Sequence, residues 1–302
     1  ESGEEKWNKP FEVEITTLST DVVKYEYVMT DKKLDLNNEE DKALLETLVF
    51  IEADENHKFS VGTEGTNYFV VKVTDAAGNE SYASSEVYNV DNTKPSANVN
   101  IESTPVEVEG TSWYKEPIIV NVKDITDGLG SGISGITYKV TLNGTDYTEV
   151  TPDENGNITI GTTGTVTSNA GYKVIVTDKV GHSETYETTD LHIDIENPSA
   201  SVSIESTIVE GNHVDKTQTS ESGEEIITTW FNGSIEIASP TVTDGLGSGI
   251  SSVKHEIKLD NGEYEEVQID ENGKVVLPNL EGVTSIEYKV TATDKVGHSN
   301  TK

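Results

Sequence analysis

Tyr172-Lys173-Val174-Ile175-Val176-Thr177-Asp178-Lys179-Val180-Gly181-His182 is the stretch on which the fold turns. Tyr172, Val174 and Val176 alternate with Lys173, Ile175 and Thr177, the period of two of a strand with one face buried. The Asp-x-x-Gly-His that follows is turn chemistry. The same unit recurs as Tyr288-Lys289-Val290-Thr291-Ala292-Thr293-Asp294-Lys295-Val296-Gly297-His298, and in diverged form as Phe69-Val70-Val71-Lys72-Val73-Thr74-Asp75-Ala76-Ala77-Gly78-Asn79. A strand-and-turn unit met three times in 302 residues is the mark of a tandem array.

Working outward, a second motif precedes each of the two later copies: Thr126-Asp127-Gly128-Leu129-Gly130-Ser131-Gly132-Ile133-Ser134 and Thr243-Asp244-Gly245-Leu246-Gly247-Ser248-Gly249-Ile250-Ser251. Trp7, Trp113 and Trp230 fall at matching places. Proline-bearing links, Val90-Asp91-Asn92-Thr93-Lys94-Pro95 and Ile193-Asp194-Ile195-Glu196-Asn197-Pro198, separate the copies. Each leads into an alternating strand, with Ala97, Val99 and Ile101 on one face, and Ala200, Val202 and Ile204 in the next copy. The repeats are therefore expected at 1–94, 95–197 and 198–302.

Inside them the period of two continues: Ile118, Val120 and Val122; Ile136, Tyr138, Val140 and Leu142; Val253, His255, Ile257 and Leu259; Val23, Tyr25, Tyr27 and Met29. Asn143-Gly144, Asn261-Gly262, Asn155-Gly156 and Asn272-Gly273 supply turns. One wet face per strand implies a two-sheet sandwich. A single helical turn is expected after Asn38, through Leu44, Leu45 and Leu48, as an insertion in repeat one. Glu1-Ser2-Gly3-Glu4-Glu5 matches Glu221-Ser222-Gly223-Glu224-Glu225, so repeat one is expected to lack its first strand, and repeat three its last.

Composition narrows the function. No apolar run approaches the ~18 residues of a membrane span. Asp plus Glu number 55 against 21 basic residues, all of them lysine, for a net charge of −34. Such a chain repels phosphate backbones and anionic lipid, and without arginine it has no bidentate fork for either. Nucleic acid and membrane insertion are accordingly not expected. The absence of cysteine excludes disulfides, zinc–thiolate sites and thiol nucleophiles. No catalytic constellation stands out, and the chain is not expected to be an enzyme.

The aromatic-x-Val-x-Val/Ala-Thr-Asp-x-x-Gly-Asn/His strand and the Val-Asp-Asn-Thr-x-Pro exit resemble the bacterial immunoglobulin-like tandem repeat domains of Gram-positive-type cell-surface proteins, over essentially the whole chain. The resemblance implies an all-β fold: three tandem immunoglobulin-like or fibronectin-III-like β-sandwiches in an elongated array. It implies a monomeric, extracellular bacterial stalk or spacer, on the cell wall or secreted, whose neighbours are further repeats of a longer protein. The alternative is an adhesin or glycan-binding module that meets a host protein or sugar through Trp113, Tyr114, Trp230 and Phe231.

Several other residues invite chemistry. The glycine-rich loops after Asp127 and Asp244 lead into strands rather than helices, which argues against phosphate binding. His182 and His298 stand where repeat one has Asn79, a turn residue. Lys173 and Lys289, candidates for an intramolecular amide, alternate with the apolar face and are expected in solvent.

Strand direction yields the sharpest expectation. In a sandwich entered from its top, the loops at 126–132 and 178–182 return to the top, whereas the exit strand ends at the bottom. Asp91 should therefore face Asp127 and Asp178, and Asp194 should face Asp244 and Asp294. Three carboxylates at one joint repel, and calcium, taking oxygen ligands, would neutralise them. Plain solvated turns are the alternative, since Asp124 has Thr241 as its counterpart and the ligand set does not fully recur.

Overall fold

The computed structural model describes residues 6–202, 204–206, 213–219, 225–231, 235–238, 240–278 and 280–302; over 204–236 it is described for backbone only. The matching segments at 1–5 and 221–224 lie outside the described residues.

The chain is all-β with one short helix among the described residues. In the central stretch a six-stranded sheet runs in the order Val106–Val108, Thr111–Tyr114, Ser183–Asp194, Val166–Asp178, Ile133–Thr141 and Thr148–Glu149. A three-stranded sheet of Ile158–Ile160, Ile118–Thr126 and Ser96–Ile101 faces it. Ile118, Val120, Val122, Ile158 and Ile160 from one sheet meet Tyr138, Tyr172, Val174, Val176 and Ile193 from the other in one buried cluster. Each such aliphatic side chain contributes roughly 1.5–3 kcal/mol by leaving water, so the alternation of the opening motif is what joins the two layers.

The first stretch repeats the plan. Its larger sheet orders Trp7–Asn8, Tyr88–Val90, Gly65–Asp75, Val22–Thr30 and Ile51–Glu52, with Glu80–Ser84 also pairing Gly65–Asp75. Phe11–Glu14 pairs antiparallel with Lys58–Val61 to form the facing layer. Ile15, Phe59 and Val61 pack on Phe69 and Val90, and Tyr27 stacks on Phe59 with ring centroids 4.0 Å apart.

Two inward assignments are corrected. Val23 is 65% exposed, because a bulge between Val22 and Lys24 breaks the alternation there. Leu142 is 46% exposed, since its strand ends at Thr141 and the chain has already turned.

The helix forms at Glu39–Leu45, and Asn38 Oδ1 accepts from the Glu40 and Asp41 N–H groups at 2.8 and 3.2 Å. Leu44, Leu45 and Leu48, with Leu34, Leu36 and Phe50, cover Val28 and Val70 on the outer face of the sheet. At the position of Val70 the other two copies carry Lys173 and Lys289, whose ammonium groups lie 2.9 Å from Glu187 and Glu256.

In the last stretch Tyr264–Glu266, Ile250–Leu259, Ile286–Asp294 and Ser299–Thr301 form one sheet. Ser199–Ser201 pairs with Thr241–Thr243, and Ala200, Val290 and Ala292 pack together. Ile204–Ser206 pairs antiparallel with Ile235–Ile237, and between them in sequence His213–Thr219 pairs antiparallel with Glu225–Phe231. Among the described residues no strand pairing links 6–90, 96–194 and 199–302 to one another.

Candidate metal centres at the joints

What crosses between these stretches is polar. The strand Tyr88–Val90 delivers Asp91, which is fully buried, to the 126–132 loop of the next stretch. There the Ser131 N–H and hydroxyl both donate to Asp91 Oδ2, at 2.9 and 2.6 Å, and Thr93 N–H donates to Oδ1 at 3.3 Å. Burial pushes the Asp91 carboxyl up, but the Ser131 hydrogen bonds outweigh it, so the group sits below its ordinary value.

Asp127 closes the loop by accepting from Gly132 N–H at 2.7 Å, and its other oxygen is buried without a partner. Its carboxyl is raised, first by burial and then by the nearby charges of Asp91 and Asp178, against the pull of the Gly132 N–H.

The turn after Val166–Asp178 completes the joint. Asp178 Oδ1 accepts from the Val180 and His182 N–H groups at 2.9 and 2.8 Å. The turn thereby swings the His182 ring back, and its Nδ1 lies 3.0 Å from Asp178 Oδ2 and 3.8 Å from Asp91 Oδ1.

The second joint reuses these parts. Asp194, fully buried, accepts from Ser248 N–H at 2.8 Å, and Asp244 accepts from Gly249 N–H at 2.6 Å. Asp294 Oδ1 accepts from the Val296, Gly297 and His298 N–H groups at 3.0, 2.7 and 2.8 Å. Burial raises the Asp244 carboxyl, with Asp194 and Asp294 pushing the same way and the Gly249 N–H opposing. Lys295 reaches back to Glu109 at 2.7 Å, and His298 Nε2 to the Lys115 carbonyl at 3.1 Å.

The middle glycine of each loop, Gly130 and Gly247, leaves room for this convergence. A Cβ on Gly130 would stand 2.7 Å from Asp127 Oδ2 and 2.9 Å from Asp91 Oδ1; on Gly247 it would stand 2.6 Å from Asp244 Oδ2 and 2.8 Å from Asp194 Oδ2. Neither residue has a positive φ, so space rather than backbone freedom demands glycine here.

All six aspartates named from the sequence thus reach the joints. The tightest groups, however, are Asp91, Asp178 and His182, and Asp194, Asp294 and His298, each with ligand atoms within 4.8 Å of one another. Asp127 and Asp244 stand beside them. Two like charges at that separation repel by roughly 3–4 kcal/mol at an effective dielectric of about 20.

His182 and His298, expected as turn residues, do serve the turn with their backbones, and their rings also enter the cluster. Glu64 joins the site without a motif to announce it: its Oε2 accepts from Asn92 N–H at 2.7 Å while Oε1 is buried without a partner. The only signal was Gly62-Thr63-Glu64-Gly65 standing where the next copy has Gly161-Thr162-Thr163-Gly164.

Of the aromatic residues, Tyr114 is buried in the core and half-buried Trp113 packs edge-on to His192, with centroids 5.1 Å apart. The strand holding Trp230 and Phe231 is described, but their side chains lie outside the description.

No helix among the described residues is long and apolar enough to cross a membrane. No family model matches the chain and no curated protein matches its sequence. Among solved structures it is similar to a 1.5-MDa bacterial ice-binding adhesin described for its retention at the host cell surface, with 17% identity over 84% of this chain and 79% of that one, at a TM-score of 0.33. It is similar to a Ca2+-stabilised adhesin with which an Antarctic bacterium binds ice, with 16% identity over 97% and 67% and a TM-score of 0.34. It is also similar to the extracellular cadherin domains 3–6 of protocadherin gamma B2, with 14% identity over 99% and 68% and a TM-score of 0.33.

Proposed function

We propose that this chain is a non-catalytic extracellular spacer of a bacterial surface or secreted protein. In this reading it comprises three tandem sandwiches, at 1–94, 95–197 and 198–302, whose two joints are stiffened by bound divalent cations. The observation that carries the reading is the set of buried, unpartnered oxygens at the joints: Asp127 Oδ1 at the first, Asp194 Oδ1 and Asp294 Oδ2 at the second. A buried carboxylate oxygen without a donor is expensive, and a cation between converging carboxylates satisfies several at once. Calcium, which takes six to eight oxygens from carboxylates, carbonyls and water, is the hard cation such a set accommodates. Polar groups at the joints, not apolar patches, then fix one module on the next, as a spacer requires.

Small-angle scattering and thermal melting of the chelator-treated chain, repeated as calcium is added, test this. The expected result is a higher melting temperature together with a narrower spread of end-to-end distances. Scattering and melting curves that do not respond to any divalent cation would sink it.

A further inference from the structure

The second joint offers more than oxygen. His298 Nδ1 lies 3.2 Å from Asp294 Oδ2, yet the two share no hydrogen bond, and both atoms are buried without a partner. The other ring nitrogen, Nε2, is 3.1 Å from the Lys115 carbonyl oxygen, which can only accept, so Nε2 carries the proton and donates. In the neutral ring this leaves the Nδ1 lone pair against the Asp294 carboxylate, with a carboxylate oxygen of Asp194 in the same cluster. Lone pair against lone pair is the arrangement that a metal ion turns from repulsive to attractive. A ring nitrogen that donates to a backbone carbonyl while its partner nitrogen faces carboxylates is also how ligating histidines are held.

An imidazolium would answer the charge less completely. Its Nδ1–H can serve one oxygen, and Asp194 Oδ1, which is buried and has no donor, would stay unsatisfied.

Resting on the cation-stiffened joint proposed above, we infer that Asp194, Asp294 and His298 form a mixed nitrogen–oxygen site that prefers a borderline transition ion of the zinc or cobalt(II) type over calcium. Calcium is met almost wholly by oxygen, whereas imidazole suits zinc and its neighbours. The His298–Asp294 spacing of 3.2 Å matches the ~3.3 Å between ligands on a tetrahedral zinc with bonds of about 2.0 Å, and Asp194 offers an oxygen within 4.8 Å of both. Two carboxylates and one neutral imidazole balance the dication, and Asp244 stands beside them as a further acceptor. At the first joint the corresponding ring is paired differently: His182 Nδ1 donates to Asp178 Oδ2 at 3.0 Å, so the bare ring nitrogen is a feature of the second joint.

The test uses the whole chain, stripped of metal, titrated separately with zinc and with calcium by calorimetry, alongside long-range proton–nitrogen spectra of the histidine rings. The inference expects zinc to bind at least tenfold more tightly than calcium, with the Nδ1 resonance of His298 shifting on zinc addition. His298→Asn, which installs the residue that repeat one carries at Asn79, should weaken zinc at least tenfold at this joint and change calcium less than twofold. Calcium binding as tightly as zinc, or zinc binding that leaves Nδ1 unmoved and is indifferent to His298→Asn, would overturn the transition-ion assignment while leaving the stiffened joint intact. If neither ion binds, both fall. The spectra of the unsubstituted chain decide the matter even if the variant folds poorly.

Discussion

The two joints are built from one sequence motif and differ in how well they are paired. At the first, Asp91 draws on the Ser131 hydroxyl, the Ser131 amide and the Thr93 amide. At the second, Asp194 has among the described residues only the Ser248 amide, and Ser248 Oγ and Asp194 Oδ1 are both left without partners. The first joint instead carries an extra carboxylate, Glu64, where the second has Thr163. The loop Thr-Asp-Gly-Leu-Gly-Ser-Gly-Ile-Ser is unchanged between them. What changes is the foot of the preceding stretch, where Thr93 and Glu64 become Glu196 and Thr163. A repeated motif therefore sets the place of a site, and the surface it meets sets how strongly that site needs a ligand. The second joint should lean on its cation more heavily than the first.

The comparison breaks most severely if the loops are filled. Gly247→Ala places a Cβ on two carboxylates and should cost about 1–3 kcal/mol through forced displacement, abolishing the cation response of the second joint. Gly130→Ala should do the same at the first. Thermal melts with and without cation check both, and an unchanged response in either variant would show that the carboxylates do not need to converge.

Ser131→Ala sharpens the contrast by making Asp91 as poorly paired as Asp194. Loss of a hydrogen bond to a charged group should cost about 2 kcal/mol without cation, and added cation should recover most of it. The same change at Ser248, whose hydroxyl pairs with nothing, should have little effect on melting.

Exchanging the feet is gentler. Glu64→Thr removes one negative charge and should weaken cation binding at the first joint roughly fivefold, since carboxylate count tunes such sites; Thr163→Glu should strengthen the second. Calorimetric titration reads both.

The smallest effect is in pH. Asp244 is raised in the folded chain, so the fold takes up its proton more readily than the unfolded chain does. Its destabilising charge is present above the folded value and is relieved as pH falls towards the ordinary aspartate value of about 3.9. Asp91 is lowered, so its contribution runs the other way, present above the ordinary value and lost as pH falls through the folded one. At the first joint the lowered Asp91 and the raised Asp127 oppose each other, whereas at the second the raised Asp244 favours the fold on acidification. Mild acidification of the metal-free chain should thus favour the second joint relative to the first. Asp244→Asn should remove that bias in a pH series of melting curves.

Much of this was legible from period and direction. Alternation located the paired sheets, and counting strand reversals brought Asp91 to Asp127 and Asp178. Three things were not. The alternation around Val23 failed because a bulge is invisible to a period-two pattern. Val70, where its counterparts are Lys173 and Lys289, was readable as a substitution but not as the floor beneath the inserted helix, because that contact joins residues distant in sequence. The ring positions of His182 and His298 depend on how tightly each Asp-x-x-Gly turn curls, which residue type alone does not set.

One pairing has a mechanical side. Thr111–Tyr114 runs parallel to the end of Ser183–Asp194, with Trp113 opposite His192, and Trp7–Asn8 lies parallel to Tyr88–Val90 in the same way. When a chain is pulled from both directions, parallel neighbours slide past each other, and every bond between them stretches at the same moment. An antiparallel hairpin pulled at its open end gives way one rung at a time. Each of these short two-residue ladders is therefore a shear lock: weak at rest, it shares a load along the chain among its bonds, next to the strand that delivers Asp91 or Asp194 to its joint.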